Sequence, residues 1–252
     1  MMRIGLLEVC CGEYQDALAA SEAGVTRIEL NSALFLGGLT PTLGSLRLIK
    51  QNTDLKVICM VRPRGAGFYY SDSEFQEIQA SAKLLLQNGA DGLAFGFLTA
   101  ESKIDLGKTE ELVELVHEYG KEAVFHRAFD CALSPISDVQ KLIDLKIDRL
   151  LTSGLHAAAF DGRAQLKELQ EKYGQQIEIL AGSGINPNNV QQILIETGVT
   201  QIHASCTEII YDQTAQGNQV DFSYLPAYAT GGYERVSKAK VEQLLSAMII
   251  RY

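Results

Sequence analysis

Short runs of apolar and β-branched residues recur along this chain, separated by longer stretches whose apolar positions fall three and four apart. The short runs predict strands over 6–10, 27–31, 56–62, 92–96, 122–127, 149–153, 177–183 and 201–206. Stretches such as 14–24, 71–89, 105–120 and 160–174 have the period of amphipathic helices, and Val190, Ile193, Leu194 and Thr197 repeat at the same spacing. Gly24, Gly89, Gly120, Gly174 and Gly198 each close a helix just ahead of the next strand. Eight strand–helix units in 252 residues predict one α/β domain, a closed (β/α)8 barrel of the TIM type. An open doubly wound sheet is the rival, but the turn Cys10-Cys11-Gly12-Glu13 lacks its Gly-rich fingerprint. A last helix is expected over 236–250. The polar segment 207–235 is expected as the loop after strand eight, either a lid over the site or an inert surface excursion.

Strand side chains alternate between the barrel interior and the surrounding helices. Glu8 shares a parity with Cys10, Glu29 with Asn31, Ile58 with Met60 and Arg62, Val124 with His126, and His203 with Ser205. The opposite parity is apolar and belongs against the helices, with Cys59 and Phe125 in that set. The polar set therefore points inward, and Glu8, Glu29, Asn31, Arg62, His126 and His203 should line one mouth at the carboxyl ends of the strands. Buried charges cost several kcal/mol each unless paired. Glu8 and Glu29 could therefore simply neutralise Arg62, or the set could be catalytic. In the catalytic reading His126, flanked by carboxylates, is the acid/base. Glu8 or Glu29 shuttles the proton with it, and Arg62 binds the developing negative charge.

A second signal is Ala181-Gly182-Ser183-Gly184-Ile185 after strand seven, expected to open a helix through Asn186-Pro187-Asn188-Asn189. Barrels often hold phosphate there, on backbone N–H groups and a helix N-terminus, so Gly182, Ser183, Gly184 and Ser205 are candidate anion-binding residues. A tight turn without ligand is the alternative. Arg62-Pro63-Arg64-Gly65 places two guanidiniums near the mouth, with Arg64 a further anion candidate. Arg127 and Asp130 sit past strand five as a rim or an exposed ion pair, and Thr152-Ser153-Gly154 ends strand six.

Composition narrows the partners. A formal net charge of -9 without a clustered Lys/Arg run disfavours nucleic acid and anionic membrane surfaces. The apolar run at the start is broken by Glu8, unlike a secretion signal, and no stretch is long enough to span a bilayer. Five cysteines without CxxC spacing fit reduced thiols in the cytoplasm. For a soft cation such as Cu(I), Cys10 and Met60 face inward and Cys206 lies near the mouth, while Cys11 points away from Cys10.

The segments Leu7-Glu8-Val9-Cys10, Arg27-Ile28-Glu29-Leu30, Gly37-Gly38-Leu39-Thr40-Pro41, Arg62-Pro63-Arg64-Gly65, Tyr70-Ser71-Asp72, Phe125-His126-Arg127-Ala128-Phe129-Asp130, Leu151-Thr152-Ser153-Gly154 and His203-Ala204-Ser205, in this order, resemble the CutC copper homeostasis protein family. The resemblance runs from 7 to about 208. It implies a β/α barrel, a cytoplasmic homodimer or larger homo-oligomer, and copper tolerance, with Cys10 as one thiol proposed to bind Cu(I). The family's second such thiol corresponds to Asn31 here, so a two-thiol site does not carry over. Three functions stay open: copper homeostasis with copper bound near Cys10, as the resemblance implies, a barrel enzyme acting on a small phosphorylated or carboxylated metabolite, or a ligand-binding barrel without catalysis.

Overall fold

The computed structural model describes residues 2–225 and 229–251. Eight parallel strands close into a barrel in chain order: β1 (Leu6–Cys11), β2 (Arg27–Leu30), β3 (Lys56–Met60), β4 (Gly92–Phe95), β5 (Glu122–Phe125), β6 (Arg149–Thr152), β7 (Glu178–Gly182) and β8 (Gln201–Ala204). Between and after them run α1 (Tyr14–Glu22), α2 (Leu43–Asn52), α3 (Asp72–Gln87), α4 (Leu106–Glu118), α5 (Pro135–Asp144), α6 (Arg163–Tyr173), α7 (Val190–Thr197) and α8 (Lys238–Ala247). The barrel is thus the (β/α)8 fold that the hydrophobic period predicts, and β1 pairs with both β2 and β8 to close it.

Side-chain alternation separates two cores. Leu7, Val9, Ile28, Leu30, Val57, Cys59 and Phe125 pack between strands and helices, whereas Ile58, Met60, Ala94 and Val124 form a separate apolar plug inside the barrel. At the amino end of the strands the interior is charged. Arg149, 1% exposed, donates from Nε to Glu178 Oε2 at 2.8 Å and pairs through Nη2 with Glu122 at 3.0 Å. Lys56 also pairs with Glu122, and Arg27 Nη2 donates to Gln201 at 2.6 Å. Period alone singled out none of these residues. Each begins a strand, where the inward parity meets the barrel floor.

Several strands end earlier than the hydrophobic runs suggest. β3 stops at Met60 and β5 at Phe125, so Arg62 and His126 stand on the loops just beyond. His126 caps the short 3-10 turn Arg127–Cys131, its Nδ1 accepting from Ala128 N–H at 3.2 Å. The segment 207–235 is not loop throughout. Thr207–Tyr211 (β9) and Gly232–Val236 (β10) pair antiparallel as a hairpin, and 226–228 lie outside the described residues.

This hairpin is anchored to the barrel by one buried carboxylate. Asp16, 2% exposed at the start of α1, accepts from Gly12 N–H and Val236 N–H at 2.8 Å each. Asp16→Ala leaves both donors without a partner, and each such loss costs about 1–3 kcal/mol. Hydrogen exchange should then accelerate across both hairpin strands while the barrel strands keep their protection. Unchanged exchange in the hairpin would show that Asp16 does not hold it.

Candidate functional site

The site is built around β1. Glu8 lies in register with Arg27 of β2 on one side and His203 of β8 on the other, and Cys10, two residues on, lies beside Glu29. Neighbouring strands run about 4.8 Å apart, so these register pairs become contacts. Arg27 Nε is 2.6 Å from Glu8 Oε2, and His203 Nδ1 is 2.9 Å from Glu8 Oε1. His203 Nε2 then faces Glu29 Oε2 at 3.9 Å, and Cys10 Sγ lies 3.9 Å from that same oxygen. Asn31 completes the group, its Nδ2 donating to Glu29 Oε2 at 2.9 Å and to Cys10 Sγ at 3.5 Å. One ligand atom from each of Cys10, Glu29 and His203 lies within 4.8 Å of the other two. Gly182, in register with His203, makes room for this packing, because a Cβ there would sit 2.7 Å from Leu151 Cδ1 and 3.3 Å from His203 Cβ.

Burial and charge set the protonation states. Burial raises the Glu8 carboxyl, but the His203 hydrogen bond and the Arg27 charge outweigh it and hold its pKa at about 2. Burial opposes a charged His203, yet Glu29, Cys10 and Glu8 together hold the imidazole well above its ordinary value. Burial also pushes the Cys10 thiol up to about 11, against the pull of His203, and raises Glu29. The cluster therefore sets the His203 ring between two carboxyl groups, with a thiol alongside that burial makes harder to ionise.

Above it opens a cavity of about 300 Å³ lined by Cys10, Glu29, Met60, Arg62, His126 and His203, with Phe68, Arg127, Ser205 and the hairpin's Glu234 on its walls. Five of the six residues read from parity as mouth-lining therefore share one cavity with Cys10: Glu29, Asn31, Arg62, His126 and His203. Glu8 is the exception. It lies beneath His203, bridging that ring to the charged floor of the barrel.

Five further expectations change. Neither Glu8 nor Glu29 neutralises Arg62; its Nη groups donate to the carbonyls of Leu36, Gly38 and Ala66. His126 has no carboxylate beside it among the described residues. Its ring packs on Phe68, and burial and the Arg62 charge lower its pKa to about 3, so the histidine flanked by acids is His203. The reason is local: strand parity ends at Phe125, and the 3-10 turn re-aims the next side chain. Gly96 leaves the space His126 fills, since a Cβ there would meet its Nδ1 at 2.5 Å. Arg64 turns away from the mouth to Glu74 Oε1 at 2.5 Å, a carboxylate already positioned by the Ser71–Glu74 capping box of α3. The turn Gly182–Gly184 does not open a helix. Asn186 and Asn189 close an Asn turn over the Gly184 carbonyl, Ser183 Oγ donates to Ala157 O at 2.7 Å, and α7 begins only at Val190. Asp130 is no exposed pairing partner either. It accepts from Ser153 N–H at 3.0 Å and Leu155 N–H at 3.2 Å, and its side chain is 7% exposed, so it shapes the loop after β6 while pairing Arg127.

The two mouth histidines should push stability in opposite directions with pH. His126 is lowered in the fold, so its contribution is whole above its ordinary value of 6.5 and is lost as pH falls toward about 3. His203 is raised, so its contribution is whole below 6.5 and is lost as pH rises through its folded value. His126→Leu should flatten the acid limb of a urea-unfolding series, removing a slope of up to about 1.4 kcal/mol per pH unit below 6.5. An acid limb as steep as in the wild type would contradict a buried neutral His126.

The chain matches the sequence profile of the CutC family over residues 5–208. A CutC family protein from Treponema denticola is 46% identical over 197 residues, covering 78% of this chain and 79% of the relative. A human copper homeostasis protein cutC homolog is 38% identical over 200 residues, covering 79% of this chain and 72% of its own. A crystal structure of CutC from Streptococcus agalactiae superposes with a TM-score of 0.74 at 30% identity, over 80% of this chain and 99% of that one. The ordered motifs, the closed barrel and the extent of these matches lead to one assignment: this chain belongs to the CutC family.

Proposed function

We propose that the protein serves copper homeostasis by taking one copper ion at the barrel mouth, through Cys10 Sγ and His203 Nε2 with Glu29 beside them. The observation that carries this reading is the convergence of a thiol, an imidazole and a carboxylate within 4.8 Å at the base of the cavity. The arrangement behind the imidazole supports it. A metal-binding histidine commonly gives its other N–H to a carboxylate, and here Glu8 accepts from Nδ1 and leaves Nε2 facing the cluster. Met60 adds a soft thioether on the cavity wall, whereas Asn31 offers an amide that suits copper poorly. One thiol instead of two implies weaker Cu(I) binding than a two-thiol site gives. Binding displaces the protons of Cys10 and His203, so affinity should fall as pH falls.

The test is an anaerobic Cu(I) titration against a competing chelator, comparing wild type with His203→Ala. One ion per chain with clearly weaker binding in the variant is expected. Equal affinity would place copper elsewhere. The same reading keeps the protein in the reducing cytoplasm, where its free cysteines stay thiols. We also propose a homodimer, as the family resemblance implies, for which exposed Phe35, Leu36, Phe222 and Tyr224 offer apolar surface. Among the described residues no helix is long and apolar enough to cross a membrane.

A barrel enzyme acting on a small carboxylated or phosphorylated metabolite is the second reading. It is favoured by the imidazole of His203 held between Glu8 and Glu29 at the base of a small-molecule cavity. In that reading the acid/base role belongs to His203, not His126.

A further inference from the structure

Among the described residues the barrel holds three buried arginines, and two of them are neutralised. Arg27 pairs with Glu8, and Arg149 pairs with Glu122 and Glu178. Arg62 differs. It is 5% exposed, its Nη groups donate to the carbonyls of Leu36, Gly38 and Ala66, and no carboxylate among the described residues forms an ion pair with it. Carbonyl oxygens satisfy N–H groups but leave the charge itself uncompensated, and a buried cation in that state is costly. Arg62 Nε has no partner. The Phe68 ring lies 5.2 Å from its Cζ, and the buried Tyr70 hydroxyl is beside it.

His126 repeats the pattern on the next wall. It is 4% exposed, and because Nδ1 accepts from Ala128 N–H, the ring proton resides on Nε2, which has no partner. Both side chains line the cavity of about 300 Å³, and Phe68 packs on both. Arg127, also on the wall, is already neutralised by Asp130 at 2.9 Å.

We propose that this side of the mouth, carried by the loops after β3 and β5, is a binding subsite for a small organic carboxylate, received by the Arg62 guanidinium and the neutral His126 N–H. One uncompensated positive charge matches the single charge of a carboxylate better than a phosphate dianion. Unpartnered N–H donors beside that charge suit carboxylate oxygens. The subsite shares its cavity with the Cys10 cluster but does not depend on copper, so its test uses metal-free protein.

Thermal unfolding of the full chain is followed with acetate, with inorganic phosphate, and with sodium chloride at matched ionic strength. Acetate should raise Tm saturably, by roughly 3–6 °C at ten times its Kd, and more than chloride or phosphate does. Arg62→Gln should abolish that rise. If this variant does not fold, the Arg62 Nε–H resonance of the wild type decides instead, because acetate should shift it saturably. An acetate effect no larger than that of chloride, a larger effect of phosphate, a rise that persists in folded Arg62→Gln, or an unmoved Nε–H resonance would each overturn the proposal.

Discussion

Glu8→Ala is expected to destabilise the protein by about 3–5 kcal/mol, the cost of leaving one partner of a buried ion pair unpaired. In a domain of this size that lowers Tm by roughly 6–20 °C. The side chains of Glu8 and Arg27 are 2% and 4% exposed, so water cannot replace the lost carboxylate. The same substitution removes the acceptor of His203 Nδ1–H. Adding Arg27→Met should recover part of the loss by removing the stranded cation. Glu8 also gives the wild type an acid limb. Its pKa falls from 4.5 to about 2 on folding, so its contribution is whole above 4.5 and is lost as pH drops toward 2. Denaturant unfolding of the single and double variants across pH reads all three effects. A Glu8→Ala protein within about 1 kcal/mol of wild type, well below the usual cost of stranding a buried charge, would show that the network contributes little.

The second large effect concerns the thiol. Cys10→Ser should remove most Cu(I) binding, because serine replaces the thiol of the Cys10–Glu29–His203 cluster by a hard hydroxyl. Asn31→Cys should do the opposite. Asn31 Nδ2 lies 3.5 Å from Cys10 Sγ, so a thiol at 31 enters the same cluster and supplies the second sulfur that this chain lacks. Chelator competition measures both. Unchanged affinity in Cys10→Ser would remove copper from the mouth altogether, and an unchanged Asn31→Cys would show that position 31 cannot reach the ion.

The fold was legible because both of its periods are strong. Strand parity sent Glu29, Asn31, Met60 and His203 inward and Cys59 and Phe125 outward, as the two separate cores require. Partners were harder to read. Whether Glu8 meets Arg27 or Arg62 depends on strand stagger, which alternation along a single strand does not specify. Arg27 has the inward parity of Glu29 and begins its strand, as do Lys56, Glu122, Arg149, Glu178 and Gln201. That recurrence of polar residues at strand starts was the available signal for the charged floor. Arg62 and His126 lie past their strand ends, where loop hydrogen bonds instead of pleat direct the side chain. The hairpin escaped because about twenty residues part its strands, so no short turn marks it. Its run of β-branched and aromatic residues in Thr207-Glu208-Ile209-Ile210-Tyr211 was nevertheless there to read.

X-ray absorption at the copper edge is the sharpest probe of copper at the barrel mouth, because it reads the ligand atoms themselves. Anaerobically loaded wild type should show one protein sulfur from Cys10 together with imidazole nitrogen from His203. The sulfur signal should be lost in Cys10→Ser and the imidazole signal in His203→Ala. A spectrum without sulfur, or one unchanged by both substitutions, would contradict a copper site at the barrel mouth.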